Sequence, residues 1–469
     1  MFMNFRRREK RNAGAKEIAA SSRIERKNTM PLAKSSDTHY GARLWVPLLL
    51  LWFMVIHYFE RVRVKSAMDA CQWENWENWP EQRAHIKPHR VVFIADPQLV
   101  DDHTYPKLPR ALNYLIRKMS DNYLYINHKF MQAYLDPDTT IFVGDLFDGG
   151  REWDDNAWLE EYERFNRIFP QKTNRRSYRS LPGNHDIGFQ NISLHNQRRF
   201  TAFFGEANDY FELGNHTFIQ IDTISLSHED PEVNREATEF LSTVGQKLLP
   251  EMPRIVLTHV PLYRDPNVEL CGPGRESKRP FPLQRGFQYQ TVIDYKYSEQ
   301  ILKNLRPILV FSGDDHDYCD IVHVDYLDNS KKLAREISCK TPSMTNGINY
   351  PAYQLLSLNN PYDKHSTTLN DLKTYETMMC YLPNPYRGVK VYGILLVISF
   401  ALFYLCITHP KSVQDFIESI YPSQLLPQAS QVYQKHTNLV ERRRILAFVR
   451  SCLLLFAYVS LLLALYNRM

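Results

Sequence analysis

The chain has 469 residues, 44% of them hydrophobic, and carries 57 Lys+Arg against 52 Asp+Glu for a formal charge of +5. Setting aside three long apolar runs leaves one large soluble domain, long enough to bury a single core without help from a partner. Much of the positive excess lies before Arg43, and the remainder shows no basic stripe with interleaved aromatics, which excludes nucleic acid binding as a function class.

Residues 1–43 form a basic tail. Leu44–Phe59 (LWVPLLLLWFMVIHYF) is apolar but short and contains Pro47 and His57, so a buried helix or a signal-peptide core competes with a membrane span. The long basic tail before it and the lack of a small-residue cleavage site after it favour a signal anchor. Residues 60–87 read as a linker, irregular through the Trp-rich Trp73–Trp79.

Residues 88–360 show short β-rich runs that end, one after another, in acidic, amide or histidine residues. Val91–Ala95 leads into Asp96-Pro97-Gln98, and Thr140–Val143 into Gly144-Asp145-Leu146-Phe147-Asp148. Ser180-Leu181-Pro182 leads into Gly183-Asn184-His185-Asp186, Arg254–Thr258 into His259, and Ile308–Ser312 into Gly313-Asp314-Asp315-His316. In open α/β sheets ligands gather beyond the carboxyl ends of the strands, so five such ends bring these side chains together. Helical stretches at Leu108–Asp121, Ala157–Phe169 and Arg235–Leu249 would cover the sheet faces, and Phe218–Ile221 and Tyr353–Leu356 supply further core strands. The predicted fold is α/β: a four-layer α-β-β-α sandwich with added transmembrane helices.

After a second linker, 361–390, Val391–Thr408 and Ile445–Tyr466 approach the ~20 apolar residues that cross a bilayer, the second carrying Arg450 near one end. Lys and Arg in short flanks favour the cytosol. Residues 1–43 and the 409–444 connection, with Glu441–Arg444 (ERRR), are then cytosolic and the large domain lumenal, although Arg61, Arg63 and Lys65 lie on the wrong flank. Two sequons, at Asn191 and Asn215, fall in the domain so placed. So do five of the seven cysteines, Cys71, Cys271, Cys319, Cys339 and Cys380, in a compartment that permits disulfides. Cys319 and Cys339 flank an apparent strand hairpin and are the first pairing expected, though connectivity does not follow from sequence and all five could stay reduced.

Phosphoester hydrolysis is slow because water is a poor nucleophile and charge builds on the phosphoryl oxygens. Two cations held ~3.5–4 Å apart answer both difficulties, and need a bridging carboxylate with oxygen and imidazole ligands from several directions. The strand ends supply that set. Through GDLFD, GNHD, THVP and GDDH the domain resembles the calcineurin-like metallophosphoesterases over nearly its whole length.

The resemblance implies that Asp145 bridges the metals, with Asp96, Gln98 and His316 completing one site and Asn184, His259 and Asp314 the other. It implies that His185 protonates the leaving alkoxide or steadies the phosphoryl oxygens, that Asp186 orients its ring, and that Asp148 acts from behind the ligands. The class pattern has histidine where this chain has Gln98 and Asp314. Both departures replace nitrogen by oxygen and tilt preference toward manganese, with zinc or iron as alternatives. The Arg264–Tyr289 loop, rich in Arg and Lys, offers Arg275 and Arg279 to a substrate phosphate, or is a solvated loop.

Within the class, DPQ at Asp96, GDLFDGGR at Gly144, LPGNHD, CGPGRES at Cys271 and GDDHDYC at Gly313, with flanking spans, resemble the membrane-anchored branch that trims glycosylphosphatidylinositol (GPI) anchors. That resemblance implies removal of ethanolamine phosphate from a mannose of the GPI glycan in the endoplasmic reticulum or Golgi, on GPI-anchored proteins or the free glycolipid. The competing readings are an enzyme for another lipid-linked phosphodiester or pyrophosphate, and a non-catalytic metal-binding scaffold.

Overall fold

The computed structural model describes residues 37–83, 85–361, 373–409 and 437–467. Most of the basic tail and most of the 409–444 connection lie outside them. In chain order the strands are β1 His89–Ile94, β2 Thr139–Phe142, β3 Arg176–Tyr178, β4 Asp209–Leu213, β5 His216–Gln220, β6 Arg254–Leu257, β7 Arg285–Gly286, β8 Tyr289–Gln290, β9 Leu309–Ser312, β10 Cys319–Asp325, β11 Asp328–Ser338, β12 Ala352–Leu358 and β13 Tyr375–Tyr381. They form a five-stranded sheet, β13-β12-β1-β2-β3, and a six-stranded sheet, β10-β11-β9-β6-β5-β4, with β7 and β8 as a separate hairpin.

Central strands here are apolar at nearly every position because both faces are covered. Val91, Phe93 and Ala95 point into the core between the sheets with Ile141, Ile255, Leu257 and Phe311, and the Phe93 and Phe311 rings stack at 4.0 Å. The alternate residues Val92 and Ile94 face outward to the helices, in one cluster with Leu124 and Phe165. Helices Arg110–Phe130 and Asp155–Ile168 pack together, as do Pro231–Lys247 and Tyr295–Leu305. The four-layer sandwich is as expected.

The boundaries differ for local reasons. The first covering helix begins after Pro109, whose ψ of 138° cannot continue a helix, and runs on to Phe130. Asp154 and Asp230 accept backbone N–H bonds from Ala157 and Glu232 and so start the next two helices earlier than the apolar pattern suggests.

Among the described residues, three helices are long and apolar enough to cross a membrane: Trp45–Ala70, Pro385–Thr408 and Arg443–Tyr466. They meet through Leu48, Trp52, Ile56, Phe403 and Leu455, and the Trp52 indole donates to Ser399 at 3.1 Å. The first continues past Phe59 through a π-helical turn, Tyr58–Val62, into Arg63–Ala70, so part of the stretch read as linker is helix. Trp73 is also ordered. It is buried, and its indole donates to the Leu135 carbonyl at 2.7 Å.

Two further corrections concern the far side of the domain. Residues 375–381, inside the stretch read as a second linker, form edge strand β13, paired with β12 from Ala352↔Tyr381 to Leu358↔Tyr375. The disulfides are Cys71–Cys380 and Cys271–Cys319, while Cys339 is a free buried thiol. Cys319 pairs with Ser338 across β10 and β11, one residue out of register with Cys339, and it packs with Cys271 in a cluster separate from the one that holds Cys339. Cys71–Cys380 ties the end of the first membrane helix to β13, just before the second.

Candidate metal centre

Four strands, β1, β2, β6 and β9, end at one place and deliver Asp96, Asp145, His259 and Asp314; Asn184 opens a one-turn helix beside them. The Asp96, Asp145 and His259 ligand atoms all lie within 4.8 Å of one another. His259 Nε2 stands 3.4 Å from Asp145 Oδ1, 3.4 Å from Asn184 Oδ1 and 3.6 Å from Asp314 Oδ1. Its other nitrogen, Nδ1, lies 2.9 Å from the Val143 carbonyl. A carbonyl only accepts, so Nδ1 carries a proton; Nε2 faces the three oxygens, and although burial opposes charge on the ring, Asp145, Asp96 and Asp314 raise it well above its usual value.

The backbone is bent to make this possible. Asp96, Gln98, Asp145, Asp314 and His316 have φ of 52°, 40°, 45°, 65° and 62°, a region that residues with a Cβ rarely adopt. They are held there by one another's hydrogen bonds. Gln98 N–H donates to the Asp145 carbonyl at 2.9 Å, Asp314 N–H to Asp96 Oδ1 at 3.0 Å, and His185 N–H to Asp145 Oδ1 at 2.9 Å. Thr341 bridges two of the bends, its N–H donating to the His316 carbonyl and its hydroxyl to the Asp96 carbonyl. The motif glycines are needed for approach: a Cβ at Gly144 would lie 2.2 Å from His259 Nδ1, and one at Gly183 2.0 Å from Asp145 Oδ1.

The charges do not balance within the protein. Burial above all, with Asp145 and Asp314 adding, pushes Asp96 well above the carboxylate range against the pull of His259. Burial, then Asp145 and Asp315, lifts Asp314 to about 7. At Asp145 burial is likewise the largest influence, but His259 and His185 together overcome it and hold the carboxyl below its usual range. Burial opposes charge on His185, yet Asp145 and Asp148 raise it to about 9. His316 is lowered by burial to about 4, although Asp145 favours its charge. Three crowded carboxylates, two amide side chains and the His259 and His316 imidazoles are a donor set for divalent cations, which would supply the missing positive charge and displace the His259 Nε2 proton.

The His185 ring is oriented by Asp148 rather than Asp186. Its Nδ1 contacts the Asp148 carbonyl at 2.7 Å and Oδ1 at 3.2 Å. Asp186 instead accepts the backbone N–H groups of Leu146, Phe147 and Gly183, locking the GDLFD turn to the GNHD turn. Gln98 gives its Nε2 to Asp148 at 2.9 Å, which leaves its carbonyl oxygen free. Arg275 pairs with Asp315 through buried side chains, so it is already engaged; Arg279 is exposed on the same loop. Sequence reasoning missed Thr104, whose hydroxyl donates to Asp148 at 2.5 Å, and Gln288, whose carbonyl accepts from the Asn184 amide at 3.0 Å. Neither is signalled by a motif.

A two-sheet sandwich with such a donor cluster at its strand ends defines a metal-dependent phosphoesterase. The calcineurin-like phosphoesterase family profile matches residues 89–318. Cell division control protein 1 of Saccharomyces cerevisiae is 47% identical over 386 residues, covering 81% of this chain and 77% of that protein. Metallophosphoesterase 1 of Ailuropoda melanoleuca is 24% identical over 387 residues (76% and 88%), and that of Mus musculus 24% over 349 residues (67% and 79%). Among solved structures, the phosphopantetheinyl hydrolase of Mycobacterium tuberculosis aligns over 54% of this chain and 89% of its own at 13% identity and a TM-score of 0.30. The chain belongs to the calcineurin-like phosphoesterase family and is a phosphoesterase dependent on divalent metal.

Proposed function

We propose that this protein is a membrane-held phosphodiesterase that removes ethanolamine phosphate from a mannose of the GPI-anchor glycan, with the domain in the lumen of the endoplasmic reticulum. The single observation that carries the chemistry is the buried surplus of carboxylate around His259 Nε2. The substrate rests on the shared motifs and on 47% identity to cell division control protein 1. Lumenal placement is supported by the two disulfides, which persist in oxidising compartments, and by sequons Asn191 and Asn215, both exposed.

In this reading Asp145 would be shared by two divalent ions, manganese first, one of which Asp96, Gln98 and His316 would hold and the other Asn184, His259 and Asp314. When bound, the ions provide a nucleophile at neutral pH and neutralise charge at the phosphoryl oxygens. Asp148 fixes the His185 ring through Nδ1, so that the ring gives its proton to the mannose oxygen as the P–O bond breaks. Asp186 holds the two turns in register.

The test is release of ethanolamine phosphate from a defined GPI glycan, followed by mass spectrometry, with the full chain and Asp145→Asn in manganese. The variant is expected to lose about 10³-fold or more in rate, as when a group aimed at transition-state charge is removed. No release by protein shown to bind two metals would send the assignment to another lipid-linked diester or pyrophosphate. Release unaffected by the substitution would sink the two-metal reading.

A further inference from the structure

Helix Arg110–Phe130 carries its apolar residues on two faces. Asn113, Ser120, Asp121 and Leu124 are buried toward the sheet. On the opposite side Leu112, Leu115 and Met119 recur at spacings of three and four, one stripe of a helix, and Leu112 and Leu115 are 42% and 52% exposed. An amphipathic helix inside a soluble domain would carry charge there.

The stripe points in a known direction. Tyr123 continues it one turn further, and its hydroxyl donates at 2.7 Å to the Pro383 carbonyl, just before the membrane helix Pro385–Thr408. Side chains in one stripe of a straight helix share a heading, so Leu112, Leu115 and Met119 face the same side as the entry of that helix into the bilayer. Lys118 is exposed on a flank of the stripe, as suits lipid phosphates.

The metal centre lies at the same end. β13 runs parallel to β1, because both pair antiparallel with β12, so Tyr381 is level with the carboxyl end of β1 that carries Asp96. The chain then turns into the membrane helix, whose Tyr386 hydroxyl donates at 2.5 Å to the Met344 carbonyl. Two residues on, the Asn346 side chain donates to the Asp96 carbonyl at 3.1 Å. On the other side of the mouth, Thr104 holds Asp148 in the loop that leads into the striped helix.

We infer that the Leu112–Met119 stripe lies on the bilayer surface and that the metal centre opens at that surface, between Tyr386 and the Thr104 loop. The partner is lipid, and the substrate class is a phosphodiester anchored in the same leaflet and reached sideways from it. The inference rests on the reading of the metal centre as the catalytic site, but not on which diester is cleaved.

The test uses the full chain, one copy per nanodisc of phosphatidylcholine and phosphatidylserine, with Cys406 and Cys452 replaced by serine. Spin labels are placed through Leu112→Cys, Leu115→Cys and, as reference, Leu327→Cys at the far end of β10, where the side chain is 89% exposed. Membrane contact predicts an oxygen-to-nickel-chelate collision ratio several-fold higher at Leu112 and Leu115 than at Leu327. Equal ratios would place the stripe in water and overturn the inference. Low collision rates with both probes would mean that a protein surface covers it, which also overturns it. No outcome depends on activity, so failure here and failure of the GPI assignment are separable.

Discussion

Ser312, the last residue of β9, stands between two groups of buried ionisable side chains. On one side Asp96, Asp145, Asp314, His259 and His185 crowd together with more negative than positive charge available. On the other, Arg264 Nη2 lies 2.5 Å from Glu336, His323 donates to Glu336 at 2.6 Å and sits 3.4 Å from Glu269, and the Tyr326 hydroxyl donates to Glu269 at 2.5 Å. All four charged residues of this second group are nearly inaccessible. Burial would raise both glutamates, but Arg264 and His323 at Glu336, and His323 and Tyr326 at Glu269, hold them below the usual range. At Asp96 and Asp314 the pull of His259 does not offset burial and the neighbouring carboxylates, and both are pushed up. Equal burial therefore separates the two roles: a cluster whose charges close on themselves is scaffold, and one that stays open is waiting for cations.

Breaking the closed cluster gives the largest expected effect. Glu336→Ala leaves Arg264 buried without a counter-ion and should destabilise by about 3–5 kcal/mol, read as a lowered unfolding midpoint with metal content per folded molecule unchanged. A parallel loss of metal would show that the two groups act as one.

A smaller effect sharpens the contrast with rings that have no acid beside them. His128 and His216 are buried against the Pro170 and Gly214 carbonyls, and burial lowers both to about 4. A ring whose folded value lies below its unfolded one, about 6.5, is protonated first in the unfolded chain. Stability is then full above pH 6.5 and falls by about 1.4 kcal/mol per pH unit for each ring as pH drops toward 4. Unfolding midpoints measured across that range should slope accordingly, and replacing either ring by Asn should flatten the slope.

The smallest effect is expected at the exposed loop. Arg279→Ala should change stability by less than about 0.5 kcal/mol. If Arg279 meets the substrate phosphate, KM rises by about tenfold, the ~1.5 kcal/mol of one charged hydrogen bond, with kcat little changed. An unchanged KM would make Arg279 a solvated side chain.

The sheets and the strand-end residues were legible because each apolar run ends in a polar motif, and chain order alone places those ends together once the strands are parallel. The second half of the Arg110–Phe130 helix was not, because Asn122, Asn127 and His128 look like loop residues yet are buried, His128 against the Pro170 carbonyl and the Phe169 ring. Strand β13 lies on a sheet edge beyond a hydrophilic stretch, and its pairing depends on β12. The disulfides escaped for the same reason: Cys71 and Cys380 meet only after the sheet has formed. That Asp148 rather than Asp186 orients His185 depends on which way a tight turn points its side chains, and spacing carries no such information.

The Cys71–Cys380 bond joins residues 309 apart in sequence, beside the points where the chain leaves and re-enters the membrane helices. The enclosed domain is thus a covalent ring with a clamped neck, not a head on a flexible stalk. A clamped ring has no swivel. If the metal centre opens at the bilayer as inferred above, such a neck would hold its mouth at one height, and a phosphate bond held further out would have to be brought down to it to be cut.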